Sequence, residues 1–221
     1  MPSPPTPYTL HPVTLADMDA MLATGSAAFQ HDPLRLATFP PELVDPADPT
    51  AEDDWRRRRF TKRLETPGVV THKVTVDDES VAGFAAWVSP SSGEGVGNAA
   101  NPTGEVPRCV RREFFELQPK LMEEAKKRVL GDSRDFWYLA SLATHPDHQG
   151  KGIGAALVRW GIEQGEKDGV PVYLEATPRG YFLYKKMGFE AADEIDVSHW
   201  TPNGESYKVI CMIKRPSSKV Q

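Results

Sequence analysis

The chain has 221 residues, 39% of them apolar and 26% charged, with a net charge of −5. That length can bury one sizeable core and favours one domain. Acidic and basic residues are interspersed, so no broad basic field exists to capture nucleic acid or an anionic membrane, and a small-molecule partner is expected instead. Cys109 and Cys211 have no redox or metal spacing. "MPSPPTPY" lacks the regions of a secretion signal and no apolar run spans a bilayer, so a cytoplasmic chain is expected.

Residues 1–7 read as a flexible tail. "YTLHPV" can begin a strand, and "TLADMDAMLATGSAAF" follows as a helix, with Thr14 and Asp17 spaced as a capping box. Prolines break "FQHDPLRLATFPPELVDPADP" into an irregular connection with room for a short helical turn. "TAEDDWRRRRFTKRLE" predicts a second helix. Its arginine run reads as a solvated face, because Glu52, Asp53 and Asp54 each precede an arginine by four residues.

"VVTHKVTV" and "VAGFAAWVS" read as an antiparallel hairpin across "DDES". A flexible insertion follows at about 90–106, then a helix from "RREFF" to Gly131, interrupted at Pro119. "FWYLASLAT" is a strand, "GAALVRWGIEQGEKDG" a helix, "VPVYLEAT" a strand and "GYFLYKKMG" a short helix. An irregular "EIDVSHWTPNGE" precedes the last strand, "SYKVICMIKR", and 216–221 form a second tail. The expected architecture is one α/β domain over 8–215, with a central mixed, mostly antiparallel twisted sheet flanked by helices.

The informative stretch is "HPDHQGKGIGAALVRW", residues 145–160, where glycines fall between a polar turn and a helix start. Such a site offers unpaired N–H groups and the positive end of the helix dipole to a phosphate. A P-loop is excluded, because no Ser or Thr follows Lys151 to hold magnesium. A dinucleotide-binding reading has the spelling, with Gly150, Gly152 and Ala155 as G-x-G-x-x-A and Glu175 downstream. Against it stand the five residues "HPDHQ" between strand and glycines and a largely antiparallel first half.

The loop "QGKGIG", with Gln149, Gly152 and Gly154 in a Q/R-x-x-G-x-G/A pattern, resembles the GCN5-related N-acetyltransferase superfamily. So does the later "LEATPRGYFLYKKMGF", similar to that family's strand, turn and "LYxKxGF" segment. The resemblance runs from about residue 70 to about 214. It implies acetyl-CoA as co-substrate, its pyrophosphate held by Gln149, Gly150, Lys151, Gly152, Ile153, Gly154 and Ala155. It also implies a pantetheine arm paired with the main chain of Leu142, Ala143 and Thr144, and Tyr184 as general acid for the departing thiolate.

The implied reaction is direct acetyl transfer to a primary amine of a small molecule in a ternary complex, with no metal. Glu175 can serve as general base or be a solvated strand end. Asp32 can hold a cationic amine or be a turn residue before Pro33. His145 and His148 with Asp147 read as shaping the turn rather than binding metal, and the tryptophans Trp55, Trp87, Trp137 and Trp160 as core. A protein N-terminal or lysine acetyltransferase and a non-catalytic acyl-CoA-binding module are the alternatives. Oligomeric state stays open.

Overall fold

The computed structural model describes residues 8–76, 80–90 and 106–217. The first tail, most of the second, nearly all of the insertion and the polar turn at 77–79 lie outside the described residues. Among the described residues seven strands form one sheet: β1 (His11–Pro12), β2 (Val69–Val76), β3 (Ser80–Val88), β4 (Trp137–Thr144), β5 (Val172–Ala176), β6 (Glu190–Asp196) and β7 (Lys208–Lys214). Their order is β1-β2-β3-β4-β5-β7-β6, and every pair is antiparallel except β4 with β5. The sheet is therefore mixed and mostly antiparallel, not doubly wound.

Among the described residues six α-helices flank the sheet: α1 (Met18–Phe29), α2 (Pro33–Thr38), α3 (Ala51–Glu65), α4 (Arg112–Leu130), α5 (Ile153–Asp168) and α6 (Pro178–Lys186). Strand alternation sorts the core between them. On β5, Val172, Leu174 and Ala176 face α5 and α6 with Trp87, Trp137 and Leu157, while Tyr173 faces α4 with Tyr138 and Phe114. Gly161 lets α5 close on the sheet, since a Cβ there would sit 2.3 Å from the Trp87 ring. At the entry to α1 the Thr14–Asp17 capping box forms, the Asp17 carboxylate accepting the Thr14 N–H at 2.8 Å.

Three elements differ from the sequence reading. Residues 190–196 are an edge strand, which takes in the first three residues of the stretch at 194–205 read as irregular. Glu190, Asp193, Glu194 and Asp196 erase its hydrophobic alternation, and charge on an edge strand discourages pairing with another sheet. Helix α4 runs through Pro119 without a break. The ring costs one ladder hydrogen bond there, while Phe114, Phe115 and Ala125 bury the helix on both sides of it.

The third difference is the arginine helix. Its face is solvated only in part: Arg57 and Arg58 are exposed, but Arg63 is 2% exposed and Arg59 is half-buried. Of the anticipated pairs, Glu52–Arg56 forms at 2.7 Å, whereas Arg57 reaches Asp19 on α1 at 2.5 Å. Asp54 accepts from the Thr50 hydroxyl at 3.1 Å.

Candidate active site

The site starts from a failure of strand pairing. β4 and β5 pair only at Trp137–Val172 and Tyr138–Tyr173, then separate. The register of β3 on β4 jumps between Ser141 and Leu139, leaving Ala140 as the extra residue of a bulge where the two strands part. Past this point one edge of β4 has no strand beside it, and its polar main-chain groups need other partners. His145 N–H donates to the Ala82 carbonyl at 2.9 Å, so by antiparallel alternation Ala143 turns its main chain toward β3. Leu142 and Thr144 turn theirs into the gap. Of the three residues expected beside the pantetheine arm, Leu142 and the N–H of Thr144 thus face the gap, the Thr144 carbonyl being taken by the Gln149 side chain, and Ala143 is committed to the sheet.

The glycine loop closes one end of this gap. Gly150 and Gly152 have φ of +76° and +90°, a left-handed region that side chains strain to enter. Gly152 caps α5, and the first helical bond runs from Ala156 N–H to the Gly152 carbonyl at 2.9 Å. The N–H groups of Ile153, Gly154 and Ala155 therefore have no helical partners and point out of the helix start, where the dipole is positive. Gln149 anchors the loop to the splayed strand by donating to the Thr144 carbonyl at 3.1 Å, and receives Arg179 at 3.4 Å. A Cβ at Gly152 would meet nothing nearer than the Tyr8 ring, 3.9 Å away, so the space in front of the loop is open. These features fit a pyrophosphate.

A cavity of about 1770 Å³ passes from this loop through the gap to the other face of the sheet. Gln149, Gly150 and Gly152 to Ala155 line it, as do Leu142 to Thr144, Tyr184, Glu175 and Asp32. Lys151 does not; its carbonyl accepts from the Tyr8 hydroxyl at 2.8 Å, outside the cavity. His145 caps the preceding turn, its Nδ1 accepting the Asp147 N–H at 3.3 Å, whereas His148 lines the cavity. Among the described residues, no cluster of His, Cys, Asp and Glu is arranged for a metal, and no helix is long and apolar enough to cross a membrane.

The two candidate catalytic groups sit on opposite faces of β5. Tyr184 is buried on α6 against Phe189, and burial raises its phenol above the usual range. It therefore keeps its proton at neutral pH. Glu175 lies on the other face, where burial lifts its carboxyl to about 7 against the opposing pull of the Tyr138 hydroxyl, which donates to it at 2.7 Å. A carboxylate in that range can take up and release a proton near neutrality. Glu175 is thus not a solvated strand end.

Asp32 lines the cavity as the N-cap of α2. Its Oδ1 accepts from the N–H groups of Leu34 and Arg35 at 3.0 and 3.3 Å, and the Tyr207 hydroxyl reaches both oxygens at 3.0–3.1 Å. A cationic amine would have to compete with these donors. What the sequence reading missed on this side is Tyr138, Lys126 and the inner arginines of α3. Trp55, Arg59 and Arg63 recur every four residues, one helical face, and that periodicity was the available signal.

Comparison with known proteins agrees with this geometry. The chain is 34% identical over 101 residues to "Probable acyltransferase SID5" of Ajellomyces capsulatus, covering 40% of this chain and 72% of that one. It is 26% identical over 153 residues to "Acetyltransferase" of Stachybotrys chartarum, spanning 62% of each chain. Among solved structures, a GNAT superfamily phosphinothricin acetyltransferase from Sinorhizobium meliloti in complex with AcCoA aligns with a TM-score of 0.59 at 14% identity, over 97% of this chain and 91% of that one. That likeness establishes the fold. The family model described as Acetyltransferase (GNAT) family matches residues 34–189, from α2 through the loop to the end of the Tyr184 segment, and the chain belongs to that family.

Proposed function

We propose that this protein transfers acetyl from acetyl-CoA to a primary amine of a small molecule, directly and in a ternary complex. The observation that carries the reading is the cavity through the sheet, which brings a phosphate-binding loop, a protonated tyrosine and a carboxylate of pKa about 7 onto one continuous surface. Acetyl-CoA supplies an activated thioester. The free N–H groups of Ile153 to Ala155 hold its pyrophosphate, and the main chain of Leu142 with the Thr144 N–H aligns the arm and polarises the carbonyl.

The acceptor nitrogen bonds to the acetyl carbon and the carbon–sulfur bond breaks. The nitrogen's proton passes to Glu175, directly or through water, and Tyr184 returns one to the sulfur. No covalent enzyme intermediate is needed: Cys109 and Cys211 are both buried, and burial raises both thiols. Isothermal titration with acetyl-CoA, with NADH as control, tests the loop; release of CoA in the presence of an amine panel tests transfer. Acetyl-CoA binding with amine-dependent CoA release is the expected outcome. Binding without turnover on any amine would instead favour an acyl-CoA-binding module, and NADH binding alone would overturn the assignment of the loop.

A further inference from the structure

The acceptor half of the cavity is lined by Arg35, Arg56, Arg59, Arg63 and Lys126. Most of that charge is answered within the protein. Glu52 takes Arg35 at 2.6 Å and Arg56 at 2.7 Å, and Lys126 pairs with Glu123. Arg59 is different. Its guanidinium lies 5.2 Å from the centre of the Trp55 ring, which is itself fixed by Phe39 and Phe115 at 5.5 Å each. Its Nε is buried with no hydrogen-bond partner, and among the described residues no carboxylate pairs with it.

Burial, followed by the like charges of Arg63 and Arg56, lowers the pKa of Arg59 well below that of a free guanidinium. Arginine still carries its proton at neutral pH, so the protein holds a half-buried charge without a counter-ion among the described residues. Such a group is costly alone and is repaid when a carboxylate or phosphate completes it, the planar fork matching either anion. The place is also adjacent to the chemistry. Tyr138 feels the charges of both Arg63 and Arg59, and its hydroxyl donates to Glu175.

Resting on the acetyltransferase reading above, we infer that Arg59 anchors an anion subsite in the acceptor half, so that the amine substrate carries a carboxylate or phosphate near its nitrogen. The Trp55 ring under the guanidinium holds it in the wall of the cavity. A lysine side chain in a basic peptide would bring a further cation to a wall that already has an unanswered one. The subsite thus selects against the protein-lysine alternative.

The test uses matched pairs, L-amino acids beside their carboxamides, titrated into the wild type, Arg59→Met and Arg59→Lys, with and without saturating CoA. The wild type is expected to bind the carboxylate member of the preferred pair at least ~30-fold more tightly, the scale of one buried charge-assisted contact. Arg59→Met should erase that difference, and Arg59→Lys should restore part of it by keeping charge without the fork. Folding is controlled by the melting temperature, which Arg59→Met should leave equal or higher because it removes an unpaired buried charge.

Equal binding of both members by the wild type overturns the subsite. So does an equal loss for both in Arg59→Met, or an Arg59 dependence that follows succinyl-CoA against acetyl-CoA, which would give the anion to the acyl donor. If carboxamides are acetylated and acetyl-CoA binds while no carboxylate preference appears, the subsite fails alone. If acetyl-CoA does not bind, the transferase reading fails, and the binding titrations without CoA still decide the subsite.

Discussion

The two halves of the cavity are built from different material. On the α5 side the recognition surface is main chain: positive-φ glycines, three unpaired N–H groups at a helix start and the bare edge of a splayed strand. On the α4 side it is side chain: arginines, a tyrosine and a carboxylate contributed by α3, α4, β4 and β5. Main-chain recognition has few sequence solutions and tolerates only small residues where the ligand comes close. Side-chain recognition is re-specified by single substitutions. For the proposed transferase, the contrast puts the donor in the half that few sequences can build and the acceptor in the half that single substitutions re-specify.

The largest test of the contrast is to fill the main-chain half. Gly152→Trp places a side chain at φ +90° in space that only Tyr8 borders, at 3.9 Å. The strain alone costs about 1–3 kcal/mol, and the ring occupies the proposed pyrophosphate position. Isothermal titration should show acetyl-CoA binding lost, while far-UV circular dichroism keeps the wild-type shape. Tyr184→Phe strikes the junction of the halves. It should lower kcat by about 100-fold with acetyl-CoA affinity unchanged, since a proton donor contributes on that scale. A kcat within twofold of wild type would reduce Tyr184 to a core aromatic.

Glu175→Gln probes the side-chain half through pH. With its carboxyl at about 7, wild-type kcat/KM should rise as pH passes through neutrality and the base ionises. The variant should be slower by about 10- to 100-fold and lack that limb, keeping only the one that belongs to the amine. The same shift carries a stability cost of opposite sense. The folded-state pKa lies above the ordinary 4.5, so the native state binds more protons than the unfolded one between these values, and stability falls as pH rises from 4.5 to about 7. Glu175→Gln should therefore be more stable than wild type above pH 7, by up to about 3 kcal/mol in denaturant unfolding, and equal it below pH 4.

The difference in material also decides what could be read from the chain alone. Gln149 to Ala155 lie next to one another, and the left-handed conformations that Gly150 and Gly152 adopt leave their mark in residue identity. Tyr184 and Phe189 are a few positions apart on α6 and the chain after it. The acceptor half joins Asp32, Arg59, Lys126, Tyr138 and Glu175, residues up to about 140 positions apart that only the sheet brings together. No local pattern links them. The arginine run misleads in the same way, because i,i+4 acids are visible in sequence, whereas the cavity that Arg59 and Arg63 face is not. The edge strand at 190–196 escapes a sequence reading because its acids serve the sheet edge and remove the alternation that marks a strand.

The smallest effect is expected at Asp32, where two readings part on charge. If a cationic amine is its partner, neutralising the carboxylate must raise KM for the acceptor. If its work is structural, what matters is an oxygen for the Leu34 and Arg35 N–H groups and an acceptor for Tyr207. Asparagine supplies both at an N-cap, and alanine supplies neither. Asp32→Asn should then keep stability within a few tenths of a kcal/mol and leave the acceptor KM unchanged, while Asp32→Ala loses about 1–2 kcal/mol in denaturant unfolding. A rise in acceptor KM with Asp32→Asn, at unchanged stability, would move this carboxylate into substrate recognition and set it against the anion subsite, for an acceptor with both charges would then span the floor from Asp32 to Arg59.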